Sequence, residues 1–158
     1  TGILGAICTS LVIKHMAVAK NVDGVDGLQS LRVAAEAFKA ENGQYLNCSV
    51  TGGPQWYPSI VPNHVRNPWL APAHPDWNQW RSLAVSEMGV TRFGYVMNAG
   101  APGAPWPKFE TAKVPPLVAL TEPWYVIQVK GDRDDDGKPM LGYLTSFTGD
   151  VYVENDSE

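Results

Sequence analysis

Four aspartates in five positions, followed by a glycine, form the densest group of metal-binding side chains in this chain: Asp132-Arg133-Asp134-Asp135-Asp136-Gly137. Alternate aspartates in a tight turn present hard carboxylate oxygens to one point, and a glycine lets the backbone wrap around an ion there. That is the opening of a calcium loop. The spacing assigns Asp132, Asp134, Asp136 and the backbone carbonyl of Lys138 as ligands. The twelfth position, where an EF-hand carries its bidentate glutamate, is Tyr143. A further ligand must come from elsewhere, with Glu154 or Asp150 as candidates. The same run also reads as a plain hairpin, with Asp136-Gly137 as its two-residue turn and Lys130, Arg133 and Lys138 offsetting the acidic charge. Without a cation, however, crowded carboxylates repel one another. Both readings stay open, with calcium as the candidate cofactor.

Catalytic patterns are missing. His15, His64 and His74 do not form an H-E-x-x-H pair, and neither a G-x-S-x-G elbow nor a P-loop is present. The chain is not expected to be an enzyme. His64 and His74 are expected to be solvated in a loop. Trp56, Trp69, Trp77 and Trp80 lie in a stretch that also carries Pro54, Pro58, Pro62, Pro68, Pro72 and Pro75. Tryptophans in such a setting either stack on sugars or anchor an irregular segment to a core, and anchoring is the commoner use. A net charge of −4 without a basic patch argues against nucleic acid as a partner. Cys8 and Cys48 would lie about 60 Å apart along one continuous helix, too far to bridge within a chain.

The elements that must position these groups begin with a long helix. Residues 2–13 are apolar on every side, with no charge before Lys14. Such a helix needs burial in protein or lipid, yet about 18 Å of rise is too short for a bilayer core of about 30 Å. Ile3, Ile7, Leu11, Val18, Val22 and Val25 form one stripe. Leu28, Leu31, Ala35 and Phe38 form a second, displaced across Asp23-Gly24-Val25-Asp26-Gly27, where two glycines weaken the helix. The shift predicts two burial partners: this chain's own domain for the second stripe, and something outside it for the first. Asn42-Gly43 ends the helix. Residues 44–90 read as a long ordered loop with one short helix near 76–86. Strands are expected at 91–98, 124–130, 140–147 and 151–154, with a weaker one at 117–120. A Pro/Gly/Ala loop fills 99–116, and short connections make the strands antiparallel neighbours.

Together these pieces resemble type IV pilins and the related pseudopilins of type II secretion. Gly2-Ile3-Leu4-Gly5-Ala6-Ile7 is similar to the segment that follows the family's N-terminal apolar stretch. Ala40-Glu41-Asn42-Gly43-Gln44-Tyr45 is similar to the end of its long helix. Trp80, Leu83, Gly89 and Arg92-Phe93-Gly94-Tyr95, with Gly131-Asp132-Arg133-Asp134 and Phe147-Thr148-Gly149-Asp150-Val151-Tyr152, resemble pilin-like proteins of delta-type proteobacteria.

The resemblance implies an α+β fold, with a long N-terminal helix packed on an antiparallel sheet of about four strands and a long Pro/Trp-rich loop between them. Residues 1–27 would protrude, and 28–158 would form the globular head. It implies a structural subunit of a pilus-like extracellular filament. The subunit would sit in the inner membrane before assembly, be handled by pilus assembly machinery, and then polymerise with itself at the cell surface. Ile3, Leu4, Ile7, Leu11, Val12, Ile13, Val18 and Val22 would be the filament interface, worth on the order of 10–20 kcal/mol gross. By this comparison the family's cleavage site, its N-methylated first residue and its registering glutamate would fall roughly a dozen residues upstream of Thr1. Near Ser10 there is no bending proline, and Cys48 has no partner in the C-terminal half. Alternatives are a type II secretion pseudopilin, for which some relatives' calcium sites speak, and a calcium- or carbohydrate-binding module displayed on an anchor helix.

Overall fold

The computed structural model describes residues 2–50, 55–85, 88–116 and 120–155, with side-chain surroundings from residue 22 onward. In chain order the elements are α1 (Gly2–Asn42), β1 (Asn67–Pro68), α2 (Trp77–Ser82), β2 (Val90–Thr91), β3 (Gly94–Gly100), β4 (Trp124–Gly131), β5 (Met140–Thr145) and β6 (Val151–Glu154). The fold is α+β, with one four-stranded antiparallel sheet and one two-stranded sheet.

Helix α1 runs unbroken through Asp23-Gly24-Val25-Asp26-Gly27. The glycines that sequence reasoning reads as a weak point are buried positions of close approach. A Cβ on Gly24 would come 2.9 Å from the Met140 methyl and 3.0 Å from the Phe93 ring. A Cβ on Gly27 would come 2.0 Å from the Tyr95 hydroxyl. Gly24, Gly27, Leu28, Leu31 and Ala35 therefore make one inward stripe at helical spacing, and Leu28, Leu31 and Ala35 are fully buried. Phe38 is half-buried at its end. The helix stops as its residues dictate: Gly43 takes φ +77° and donates its N–H to the Lys39 carbonyl at 2.7 Å.

The four-stranded sheet has the order β3-β4-β5-β6, each pair antiparallel, as the short connections predict. Side chains alternate between its faces. Tyr95 and Met97 of β3, Tyr125, Ile127 and Val129 of β4, and Met140 and Leu144 of β5 share the core with Leu28, Leu31 and Ala35. The strand expected at 91–98 divides in two. Val90–Thr91 pairs with Asn67–Pro68, and β3 begins only at Gly94, where a Cβ would meet Pro62 at 2.3 Å. The weaker strand expected at 117–120 falls largely outside the described residues.

Two irregular segments cover this framework. In the first, the tryptophans anchor. Trp56, Trp69 and Trp80 are buried, and Tyr57 lies between the last two, stacked on Trp80 at 4.8 Å and edge-on to Trp69 at 4.8 Å. Its hydroxyl donates to the Trp69 carbonyl. His74 does not face solvent, contrary to expectation. It is 7% exposed, its Nδ1 accepts the Asp76 N–H at 3.1 Å, and its Nε2 donates to the Trp56 carbonyl at 2.9 Å. One ring thus satisfies two buried backbone groups.

The second segment, residues 101–116, straps the outer face of the sheet. Trp106 contacts Trp124 and Phe147, with ring centroids 4.7 and 5.1 Å away, and Phe109 meets Tyr143 at 5.4 Å. Gln128, 2% exposed, accepts the Glu110 N–H and donates to the Lys108 carbonyl, both at 2.9 Å. Its side-chain amide takes the place of a neighbouring strand's backbone.

Candidate functional site

The aspartate run forms the connection between β4 and β5. The register pairs Gly131 with Met140, so the loop spans the eight residues 132–139. It is therefore not the two-residue Asp136-Gly137 turn of the hairpin reading. Two positions bend it sharply, Asp135 at φ +62° and Gly137 at φ +83°. Both are left-handed, which aspartate tolerates better than most side chains and glycine adopts freely.

The bends bring Asp132, Asp134 and Asp136 together, with one carboxylate oxygen from each inside a mutual distance of 4.8 Å. Two oxygens each about 2.4 Å from one calcium ion are at most about 4.8 Å apart, and the three oxygens stay within that bound. Asp134 and Asp136 are exposed, whereas Asp132 is 9% exposed. Its Oδ2 accepts the Gly137 N–H at 3.0 Å, and its Oδ1 is buried without a hydrogen-bond partner among the described residues. A buried carboxylate oxygen in that state is costly unless a cation meets it. The Lys138 N–H is held by Asp136 Oδ1 at 2.7 Å.

The two candidate outside ligands are not part of this group. Glu154, at the C-terminal end of β6 and paired with Leu141, is on the loop's end of the sheet, but its carboxylate is turned to other donors: it accepts the Ala112 N–H at 3.1 and 3.2 Å and the Tyr152 hydroxyl at 3.2 Å. Asp150 precedes β6 beside the β5–β6 turn, at the opposite end of that hairpin from the aspartate loop. Among the described residues the donor set is three aspartates, and water would complete a calcium shell.

Sequence reasoning missed the loop's neighbours. Asp135 lies 3.4 Å from His64 Nδ1, both groups exposed, and the His64 carbonyl accepts from Arg92 Nε at 3.0 Å. Burial pushes the Arg133 guanidinium below its ordinary range. Nearby Arg92 and Arg66 push the same way, while Asp23 opposes them. No spacing signal could have found these partners, because they come from separate loops.

Of the proposed interface residues, Ile3, Leu4, Ile7, Leu11, Val12, Ile13 and Val18 lie outside the residues whose side chains are described. Val22 is 46% exposed. Among the described residues no helix is long and apolar enough to cross a membrane. Cys48 is a free, buried thiol, 3.9 Å from the Met97 sulfur. Trp69 and Trp80 are buried edge-on against each other, and Trp56 is buried with Lys130 Nζ 5.6 Å from its ring centroid, which leaves these three rings no open face for a sugar. Compared with protein-family models, with curated proteins and with solved structures, the chain has no match in any of the three.

Proposed function

We propose that this chain is a structural subunit of a pilus-like extracellular filament, held in the inner membrane before assembly and polymerised through the apolar first half of α1. The observation that carries this reading is the contrast along one continuous helix. From Gly24 onward α1 has a glycine-lined stripe fitted to its own sheet. Residues 2–13, on the same helix, carry only uncharged side chains, for which burial outside the head is the remaining favourable outcome. A head-to-tail contact repeated by a non-closing operation gives an open helix of subunits. Electron microscopy of the cell-surface fraction, with gold-labelled antibody against the head, is the direct test. Labelled filaments are expected, and label confined to amorphous or soluble material would overturn the reading.

Calcium at the aspartate loop belongs to the same proposal. Asp132, Asp134 and Asp136 would hold the ion, which would relieve their mutual repulsion and satisfy Asp132 Oδ1. Its role is structural: it pins the β4–β5 connection of a head that must survive outside the cell.

A further inference from the structure

Two loops of different character meet at one end of the sheet. The aspartate loop is bounded by Gly131 and Met140. A Cβ on Gly24 would press on the Met140 methyl and the Phe93 ring, and a Cβ on Gly131 would press on the same ring. The aspartate loop therefore stands where α1 enters the head. Residues 59–66 reach this end from the β3 side. Pro62 packs on Gly94, which pairs with Lys130, the residue before Gly131. Arg92 Nε donates to the His64 carbonyl at 3.0 Å, and His64 Nδ1 lies 3.4 Å from Asp135 Oδ2. Clasped in this way, the second loop leaves three large apolar side chains outside: Ile60, Val61 and Val65 are 52, 68 and 47% exposed. Its backbone is tied off locally. The Val61 carbonyl accepts from Ser59 Oγ, the Val65 carbonyl from Asn67 Nδ2, and the Val65 N–H donates to Asn63. Backbone groups satisfied within the loop lose less on leaving water. The chain has 16 acidic residues, yet none falls between Glu41 and Asp76, and exposed Arg66 follows Val65.

We propose that this end of the head docks on an anionic phospholipid bilayer, through a calcium ion shared between the aspartate loop and lipid phosphates, with Ile60, Val61 and Val65 inserted beside it. The inference rests on the calcium site and the membrane-held precursor proposed above. Calcium takes about six to eight oxygens. Asp132, Asp134 and Asp136 each bring one oxygen to the group, and Asp132 Oδ1 is buried without a hydrogen-bond partner among the described residues. Glu154 is engaged with Ala112 and Tyr152 instead. Several positions on the ion thus fall to exchangeable ligands, on the side where Asp134 and Asp136 are exposed. A phosphate oxygen is a hard, anionic ligand of the kind such positions take. Without the ion, exposed Asp134, Asp135 and Asp136 repel an anionic surface. With it, that repulsion is offset and the ion becomes the local cation. Aliphatic side chains lying beside a charge-attracted contact are the usual make-up of an interfacial anchor. A second copy of the chain could cover the apolar side chains, but it offers no phosphate to the ion. The uncharged run of residues 2–13 also leaves the head at this end, on the same helix.

The test puts a nitrobenzoxadiazole fluorophore, which brightens on leaving water, at Val61→Cys in the full chain carrying Cys8→Ser. Cys48 is buried and stays unlabelled. The chain is reconstituted into nanodiscs of phosphatidylglycerol mixed with phosphatidylcholine, or of phosphatidylcholine alone. Calcium should brighten the probe about twofold and shift its emission to the blue in the anionic discs, chelator should reverse this, and discs without phosphatidylglycerol should show little of it. Asp134→Asn should abolish the response. Ile60→Ser with Val65→Ser should raise the calcium needed for half of it about tenfold. The same probe at Val33→Cys, 69% exposed farther along α1, should stay silent. Circular dichroism melting of each variant without lipid checks the fold. A silent probe at position 61, a response without calcium or equal in both discs, a response kept by Asp134→Asn, or an equal response at position 33 would each overturn the proposal. So would calcium-dependent self-association in detergent with a silent probe, which would assign the surface to a second copy. A silent probe in a chain that still forms filaments and still melts higher in calcium would refute the docking alone, and a melting temperature indifferent to calcium would refute the metal site and the docking with it.

Discussion

Asp132 faces two ways. One oxygen closes the turn on the Gly137 N–H, and the other is buried without a partner among the described residues. Calcium should therefore raise the melting temperature of the head, by a few kcal/mol of linked stability at saturating ion. Asp132→Asn keeps the shape and the turn bond while removing the charge, so it should abolish the calcium effect. A midpoint equal in calcium and in chelator would refute the site. Gly27 gives a second residue-scale prediction. Alanine should gain about 1 kcal/mol of helix propensity, but its Cβ would sit 2.0 Å from the hydroxyl of a fully buried Tyr95. Overpacking of about 1–3 kcal/mol should win, giving net destabilisation. Tyr95→Phe in the same chain should recover part of it, and denaturant melts of the four chains form the cycle.

Tyr45 and Tyr125 add a pH dependence. Burial, and after it the Glu36 carboxylate, pushes both phenols up to about 12. Above about pH 10 the unfolded chain releases these protons while the folded chain keeps them. Stability is thus fully present below pH 10 and falls as pH rises toward 12. Tyr125→Phe should flatten that fall in a series of thermal melts, and an unchanged slope would contradict the assignment.

At the scale of elements, the strap of residues 101–116 depends on Gln128, whose amide holds the Lys108 carbonyl and the Glu110 N–H. Gln128→Leu leaves two backbone groups unpaired and should cost about 1–3 kcal/mol. It should also speed proteolytic cutting within 101–116, and unchanged cutting would show that the aromatic contacts alone hold the strap. The strap also marks where sequence reasoning runs out. Strands β4, β5 and β6 were legible as short runs of largely apolar residues bounded by turn residues, and the meander followed from their short connections. The strap has no period to read. Its prolines and glycines say only that it is irregular, and Trp106 and Phe109 were the sole hints that it covers something. His74 and the glycines of α1 were misread for a related reason. Propensity describes a residue alone, whereas the Trp56 carbonyl that captures His74 and the Tyr95 ring that requires Gly27 come from distant positions. The aspartate group was legible from its spacing, but the burial of Asp132 and the placement of Glu154 and Asp150 outside the group were not.

At the scale of the whole molecule, one helix is asked to do two jobs. Its second half belongs to the head's core through Leu28, Leu31 and Ala35. Its first half is proposed to join subunits. Substitutions in the two halves should therefore fail differently. Leu31→Ala removes a fully buried side chain and should cost about 2–5 kcal/mol of head stability. Leu11→Asp puts an unpaired charge where the filament core is proposed, a placement that folding tolerates and assembly does not. The decisive measurement is electron microscopy of cells producing the Leu11→Asp chain, beside circular dichroism melting of the purified protein. The account predicts no filaments and a melting temperature within a degree or so of the parent, since surface changes away from the core stay within about 0.5 kcal/mol. Filaments of normal abundance, or a head that melts as early as the Leu31→Ala variant, would contradict it.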